Sequence, residues 1–514
     1  MLSNIIVLLI CLILLVIAIP VTIAFQYVRK KDIKPNQTTL IDKNITIGKI
    51  SYNPGDIIGR GCAGTCVYKG LFENRQQVAV KRIIADCFQL ANREIELLRK
   101  LQHPHLIRYF ATEHDQQFLY IAIELAELTL AEYIERRTDI SIEYEFNKAE
   151  ILQQSCLGLA HLHSLDIVHR DIKPQNILIS LPIHPNRNRK IMISDFGVSK
   201  TLNSDSLTTD FSAGTEGWIA PEILKSKLNG GNEKASKPND IFSMGCLIFY
   251  TYTNGEHPFG SILSRQSRMI NGESDLSHIY DEKHVNVRSL VGAMIAIDAS
   301  TRPPIEAVIK HPFFWNSKQS LQFLQDISDR IECEKSLDSE IVKALEYGGL
   351  DVCCGDWRRN ISIELQEDLR KFRNYKGSSV RDLLRAIRNK RHHYHELDAK
   401  LQSSLGTIPD QFANYFTSKF PRLIIHTYIA MQLCKQEPVM QNYYHNNDCV
   451  DKEDFIFKPL KRSNIRWFEK LKEEKFQTEF IFDRNSRMKR FNSNGHARNG
   501  VPNEQDGNMN KNID

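Results

Sequence analysis

The sequence predicts an α+β chain, with a two-lobed enzyme domain, then an all-α domain, behind one transmembrane helix. Three observations predict it. No charged residue occurs from Ile5 to Phe25, six short motifs follow in order between residues 52 and 315, and a helix-patterned, locally basic region occupies 316–445. At 514 residues the chain is long enough for several separately buried cores. Hydrophobic residues at 42% and charged residues at 25% are ordinary for globular protein and exclude a wholly disordered or fibrous chain. The net charge of +5 identifies no partner by itself, so local clustering of charge has to carry that argument. The 11 cysteines show neither C-x-x-C pairs nor zinc-spaced histidines, which fits reduced thiols facing the cytosol.

The apolar run of 21 residues is long enough, at about 1.5 Å per residue, to cross a hydrocarbon core of about 30 Å. A cleaved signal peptide is the competing reading. The run lacks a basic stretch before it and an A-x-A site after it. Arg29, Lys30 and Lys31 follow the span directly, which orients the rest of the chain toward the cytosol. Residues 26–51 read as a linker. Residues 446–514, poor in large apolar side chains toward the end, read as a mostly disordered polar tail.

Gly59-Arg-Gly61-Cys-Ala-Gly64-Thr-Cys-Val67 is a glycine-rich loop whose backbone N–H groups can close over nucleotide phosphates. Val78-Ala-Val-Lys81 is a strand ending in a lysine suited to the α- and β-phosphates. Glu94, in a helical stretch, is its expected ion-pair partner, with Glu96 competing. His169-Arg-Asp171-Ile-Lys173-Pro-Gln-Asn176 supplies a catalytic base (Asp171), a lysine to steady the transferring phosphoryl group (Lys173) and a Mg²⁺ ligand (Asn176). Asp195-Phe-Gly supplies the second metal ligand, and Ala220-Pro-Glu222 closes the segment. Phosphoryl transfer needs positioning and charge neutralisation, and these parts suffice for it. In this order and spacing they resemble the protein kinase superfamily, and no motif departs from its active pattern. The resemblance implies a bilobal kinase fold over 52–315 that uses ATP and Mg²⁺ to phosphorylate serine or threonine. Ser204, Ser206, Thr208, Thr209 and Ser212 are candidate autophosphorylation sites, with Arg170 available to a phosphate.

Beyond Trp315 the centre of interest is Tyr375 to Tyr394. Val380, Leu383, Leu384 and Ile387 recur at helical spacing, and Ser379 can cap that helix with Asp382 reciprocating as in a capping box. From Arg370 to His393 there are nine lysines and arginines and one acid, Asp382. That excess fits a phosphate-backbone footprint, and equally a solvated basic face. Two histidines after the helix and a tyrosine before it are suitable parts for metal-free RNA cleavage, in which a base activates the ribose 2′-OH and an acid protonates the leaving 5′-oxygen.

Tyr375-Lys-Gly and Arg388-Asn-Lys-Arg-His-His393-Tyr resemble the inositol-requiring kinase/endoribonucleases of the unfolded protein response. The resemblance implies Tyr375 as general base and His393 as general acid. It also implies Arg388 and Asn389 as phosphate-positioning residues, with Lys390 auxiliary. It further implies an all-α kinase-extension nuclease domain over 316–445 that needs no metal, activation as a homodimer or higher oligomer, RNA stem-loops as substrates and residence in the endoplasmic reticulum membrane. That family carries a large luminal sensor before its span, whereas four residues precede the span here, so a form lacking the sensor is expected. The competing expectation is a membrane signalling kinase whose basic extension only binds RNA or a protein partner.

Overall fold

The computed structural model describes residues 44–61, 64–84, 88–135, 147–182, 189–202, 214–231 and 234–445. The expected membrane span over 5–25 and the polar tail lie outside these residues. No described helix is long and apolar enough to cross a membrane. The described chain forms two compact units, one of residues up to Phe88 with Phe110–Ile123, the other of Gln89–Tyr109 with Glu124 onward.

The first unit is a six-stranded sheet in the order β1-β2-β3-β4-β6-β5. Its strands are β1 (Ile45–Ile47), β2 (Ile50–Arg60), β3 (Cys66–Phe72), β4 (Gln76–Ile84), β5 (Tyr109–His114) and β6 (Phe118–Glu124). β1 belongs to the stretch expected as linker; its I-T-I alternation pairs antiparallel with β2 through Ile45↔Tyr52 and Ile47↔Ile50. Alternation sends Ile50, Tyr52, Tyr68, Val78, Val80 and Tyr120 into one core, where the Tyr52 and Tyr68 rings sit 4.8 Å apart.

The second unit is mainly helical. We number only helices of eight residues or more: α1 (Phe88–Lys100), α2 (Lys148–Ser164), α3 (Pro221–Leu228), α4 (Lys237–Thr253), α5 (Ile262–Asn271), α6 (Val285–Met294), α7 (Ser317–Glu332), α8 (Ile363–Arg370), α9 (Val380–His392), α10 (Asp410–Lys419) and α11 (Leu423–Ala430). Helix α4 is apolar nearly all round and is buried nearly all round, as a central helix must be. Ser236 starts it with a capping box, its N–H donating to Asn239 Oδ1 at 2.7 Å.

The helices after Trp315 share a core with those before it. Trp315 packs against Phe323, Tyr428 and Tyr443 with ring centroids 4.8, 5.7 and 5.5 Å apart. Arg422, just before α11, makes a two-pronged ion pair with Glu282, both bonds 2.6 Å, and Lys310 Nζ donates to the carbonyls of Gln441 and Tyr444 at 2.8 and 2.7 Å. The extension is therefore fused to the helical part of the preceding domain rather than tethered to it.

Helix α9 buries Val380, Leu383, Leu384 and Ile387 completely. Ser379 caps it as expected, accepting from the Asp382 N–H at 3.2 Å. Asp382 does not return the bond to Ser379. Its carboxylate accepts instead from the Lys376 N–H at 2.6 Å and from Arg385 Nη1 at 2.7 Å. The remaining N-terminal donors go to Glu346, whose carboxylate takes the Ser379 hydroxyl at 2.6 Å and the N–H groups of Arg381 and Val380 at 3.0 and 3.2 Å.

Candidate active sites

In the first unit, strand register sets Gly59 opposite Val67 and Val67 opposite Lys81, so three of the nucleotide-site candidates lie in line across β2, β3 and β4. The hairpin closes with the Gly61 N–H donating to the Thr65 carbonyl at 2.8 Å. Gly64 has φ +74°, and a Cβ there would press on Ile84, so glycine is required.

In the second unit, Asp240 of α4, almost fully buried, organises the catalytic loop. Its carboxylate accepts the backbone N–H groups of His169 and Arg170, both at 2.8 Å, and meets His163 Nε2 at 3.0 Å. Arg170 is held at φ +71°. The sequence signals neither this role nor its reach, since Asp240 lies some seventy residues downstream on another element.

Asp171 is then fixed from three sides. Lys173 Nζ reaches its Oδ2 at 2.6 Å, Asn176 Nδ2 donates to its Oδ2 at 2.9 Å and its carbonyl at 2.8 Å, and Thr215 gives Oδ1 both its N–H at 2.9 Å and its hydroxyl at 2.7 Å. Lys173 also reaches Thr215 Oγ1 at 2.5 Å. Thr215, just beyond the candidate autophosphorylation residues in sequence, thus sits against the carboxylate of Asp171. The Asn176 amide nitrogen is spent on Asp171, which turns its Oδ1 the other way. Asp195 is exposed and sits at φ +64°, a left-handed conformation rare for aspartate. Oxygen donors of this kind suit a hard cation such as Mg²⁺. Phe196 is buried edge-on to His169, ring centroids 5.3 Å apart, and the Ser194 N–H and hydroxyl donate to the Asn176 carbonyl at 2.9 and 3.0 Å. Glu94 is buried and its carboxylate lies beside Gly197, whereas Glu96 is exposed, so burial favours Glu94 as the functional carboxylate. The candidate autophosphorylation residues 204–212 lie outside the described residues.

The second candidate site is built on α9 and the loop before it. Tyr375 is buried, its ring edge-on to Trp357 at 5.9 Å, and Asn389 Nδ2 donates to its hydroxyl at 3.3 Å. Arg388 Nη2 reaches Asn389 Oδ1 at 3.2 Å, and its Nη1 reaches Asp329 at 2.9 Å. The Asp329 carboxylate is 58% exposed, so that pair is weak and a phosphate can compete for the guanidinium. His393 follows Asn389 by one turn, is exposed, and its Nδ1 lies 3.0 Å from Glu396 Oε1. Glu396, i+3 from His393, is a partner that the sequence reading did not name.

The basic excess of α9 is largely absorbed within the fold. Arg385 pairs with Glu332, Arg381 lies near Glu332, Arg388 meets Asp329, and Lys390 is buried against Asp368 with its ammonium over the Phe372 ring. Lys390 is thus engaged rather than open, whereas Arg388 meets only the exposed Asp329.

A glycine-rich hairpin aligned with a strand lysine, an aspartate in a Lys-Asn-Thr cage and an Asp-Phe-Gly turn define a protein kinase, here with a helical domain carrying Tyr375, Arg388, Asn389 and His393. The protein kinase domain family matches residues 52–314 and the ribonuclease 2-5A family matches residues 320–444. The chain is 42% identical over 461 residues to the Caenorhabditis elegans serine/threonine-protein kinase/endoribonuclease ire-1, covering 87% of this chain and 47% of that protein. It is 46% identical over 423 residues to human serine/threonine-protein kinase/endoribonuclease IRE2 (80% and 44% covered). It is 40% identical over 413 residues to the Schizosaccharomyces pombe sensor for unfolded proteins in the ER, ire1 (75% and 38% covered). The chain belongs to this kinase/endoribonuclease family, and spans about half, or less, of the length of these relatives.

Proposed function

We propose that the protein is a serine/threonine kinase that phosphorylates itself and, as a dimer or higher oligomer, cuts RNA stem-loops in unfolded-protein signalling at the endoplasmic reticulum membrane. The apolar segment 5–25 is its anchor, with both catalytic domains in the cytosol.

In the kinase reaction Gly59, Gly61, Gly64, Val67 and Lys81 hold the nucleotide. Asp171 accepts the proton of the substrate hydroxyl as that oxygen attacks the γ-phosphorus, and Lys173 steadies the phosphoryl oxygens. Asn176 and Asp195 would hold Mg²⁺, which supplies charge neutralisation on the phosphates when bound.

In the nuclease reaction Tyr375 takes the 2′-OH proton, aided by the Asn389 N–H on its oxygen. The 2′-oxygen attacks the adjacent phosphorus, Arg388 and Asn389 stabilise the pentacovalent arrangement, and His393 Nε2 gives its proton to the departing 5′-oxygen. The products are a 2′,3′-cyclic phosphate and a 5′-hydroxyl, with no metal step.

The observation that carries this reading is the Tyr375–Asn389 hydrogen bond continued through Arg388, which joins three of the four proposed residues in one network. Incubating the full chain in detergent with a stem-loop RNA in excess EDTA should yield 2′,3′-cyclic phosphate ends. Binding without cleavage at dimer-forming concentrations would favour the kinase whose extension only binds.

A further inference from the structure

His393 and Glu396 stand on a turn that the fold fixes from below. His393 ends α9, its N–H donating to the Asn389 carbonyl at 3.0 Å, and the Glu396 N–H donates to the His393 carbonyl at 3.0 Å. Between them the Tyr394 hydroxyl donates to the Gly406 carbonyl at 2.8 Å, and its ring lies edge-on to Phe412 at 6.0 Å. Gln402 Nε2 ties down the Tyr394 and Leu397 carbonyls at 3.1 and 2.9 Å. The backbone under both side chains is therefore anchored, while the His393 and Glu396 side chains themselves face water, 62% and 74% exposed. Lys390 and Arg391 lie close by in sequence, yet the Glu396 carboxylate takes the imidazole, Oε1 to Nδ1 3.0 Å. An exposed pair of this kind adds little to stability. Removing it leaves the fold standing, so any effect on cleavage is an effect on the chemistry.

We propose that Glu396 is a positioning residue for the general acid, its carboxylate holding His393 Nδ1 so that Nε2 meets the departing 5′-oxygen. The proposal rests on the nuclease reading above. An exposed imidazole without a partner turns about two side-chain bonds and can present either nitrogen. Only a ring already aimed delivers its proton in step with bond breaking. As the P–O5′ bond breaks, its electron pair goes to O5′ and the Nε2 proton of the imidazolium follows it. The neutral imidazole left behind keeps its Nδ1 proton on Glu396, so the carboxylate fixes both the tautomer and the plane of the ring.

The test uses the full chain in detergent and two stem-loop RNAs, one natural and one with sulfur replacing the bridging 5′-oxygen at the cut. A thiolate leaves without a proton, so the second RNA needs no general acid. Glu396→Ala should cut the natural RNA with kcat about tenfold below wild type, part of what a general acid supplies, and with KM unchanged. On the sulfur-bridged RNA it should match wild type. Sulfur should rescue His393→Ala in the same way. Adding Glu396→Ala to His393→Ala should slow the natural reaction no further, because the two residues act as one unit. The proposal is overturned if Glu396→Ala cuts the natural RNA at the wild-type rate. It is overturned equally if sulfur leaves the Glu396→Ala defect in place while rescuing His393→Ala, which would assign the carboxylate to folding or RNA binding. A His393→Ala protein that sulfur fails to rescue overturns the general-acid assignment in the nuclease reading, and the role of Glu396 falls with it.

Discussion

Arg385 of α9, buried, and Glu332 of α7, half-buried, form an ion pair, Nη2 to Oε1 2.5 Å and Nε to Oε1 2.7 Å, that ties the helix carrying the proposed nuclease residues to the first helix after Trp315. Removing Glu332 leaves Arg385 with Asp382 as its remaining carboxylate partner, in a site where water reaches it poorly. Glu332→Gln should lower stability by about 2 kcal/mol, less than a fully buried pair because Glu332 keeps some contact with water. Thermal unfolding followed by tryptophan fluorescence should show the loss, and an unchanged transition would mean the pair contributes nothing.

Thr215 holds Asp171 by two bonds and also receives Lys173. Thr215→Val keeps the shape and removes the hydroxyl. Autophosphorylation should slow by about tenfold to a hundredfold through misplacement of the base, while RNA cleavage by nucleotide-bound protein should persist.

Gly377 follows the Tyr375 loop so closely to Asp356 and Arg358 that a Cβ would fall inside the Asp356 carboxylate. The Gly377 carbonyl also accepts the Trp357 N–H at 2.9 Å. Gly377→Ala should therefore shift Tyr375 and cut RNA cleavage by about a hundredfold, with autophosphorylation retained. Equal loss of both activities would point to general misfolding.

Burial pushes His311, at the junction with the extension, and His257 each down to about 3. Both stay neutral in the fold, whereas an unfolded histidine takes up a proton at about pH 6.5. Their contribution to stability is therefore complete above about pH 6.5 and falls as pH drops toward about 3. Unfolding midpoints measured from pH 7.5 to 5 should decline, and His311→Asn should flatten the decline.

The kinase parts were legible because each motif is local. Gly59 to Val67, Asp171 to Asn176 and Asp195 to Gly197 announce themselves within a few residues, and the buried face of α9 follows from helical spacing alone. What stayed hidden was pairing over long separations. Asp329 and Glu332 come from a helix 59 and 53 residues away and take up charge that a local count assigns to RNA, while Glu346, 33 residues from Ser379, takes the donors at the start of α9. Helical spacing places Asp382 at the start of α9, but its carboxylate takes the Lys376 N–H instead of completing the expected capping box with Ser379. Likewise Asp240 and Thr215 carry no local signature, because their work is done only once the catalytic loop has folded against them.

The central claim is that one chain holds two separable active sites, and His393 tests it most directly. Autophosphorylation and stem-loop cleavage should be measured on the same preparation of His393→Ala. We expect cleavage to fall by at least about a hundredfold, the contribution of one general acid, with autophosphorylation at the wild-type level. Cleavage that survives the substitution would contradict the account.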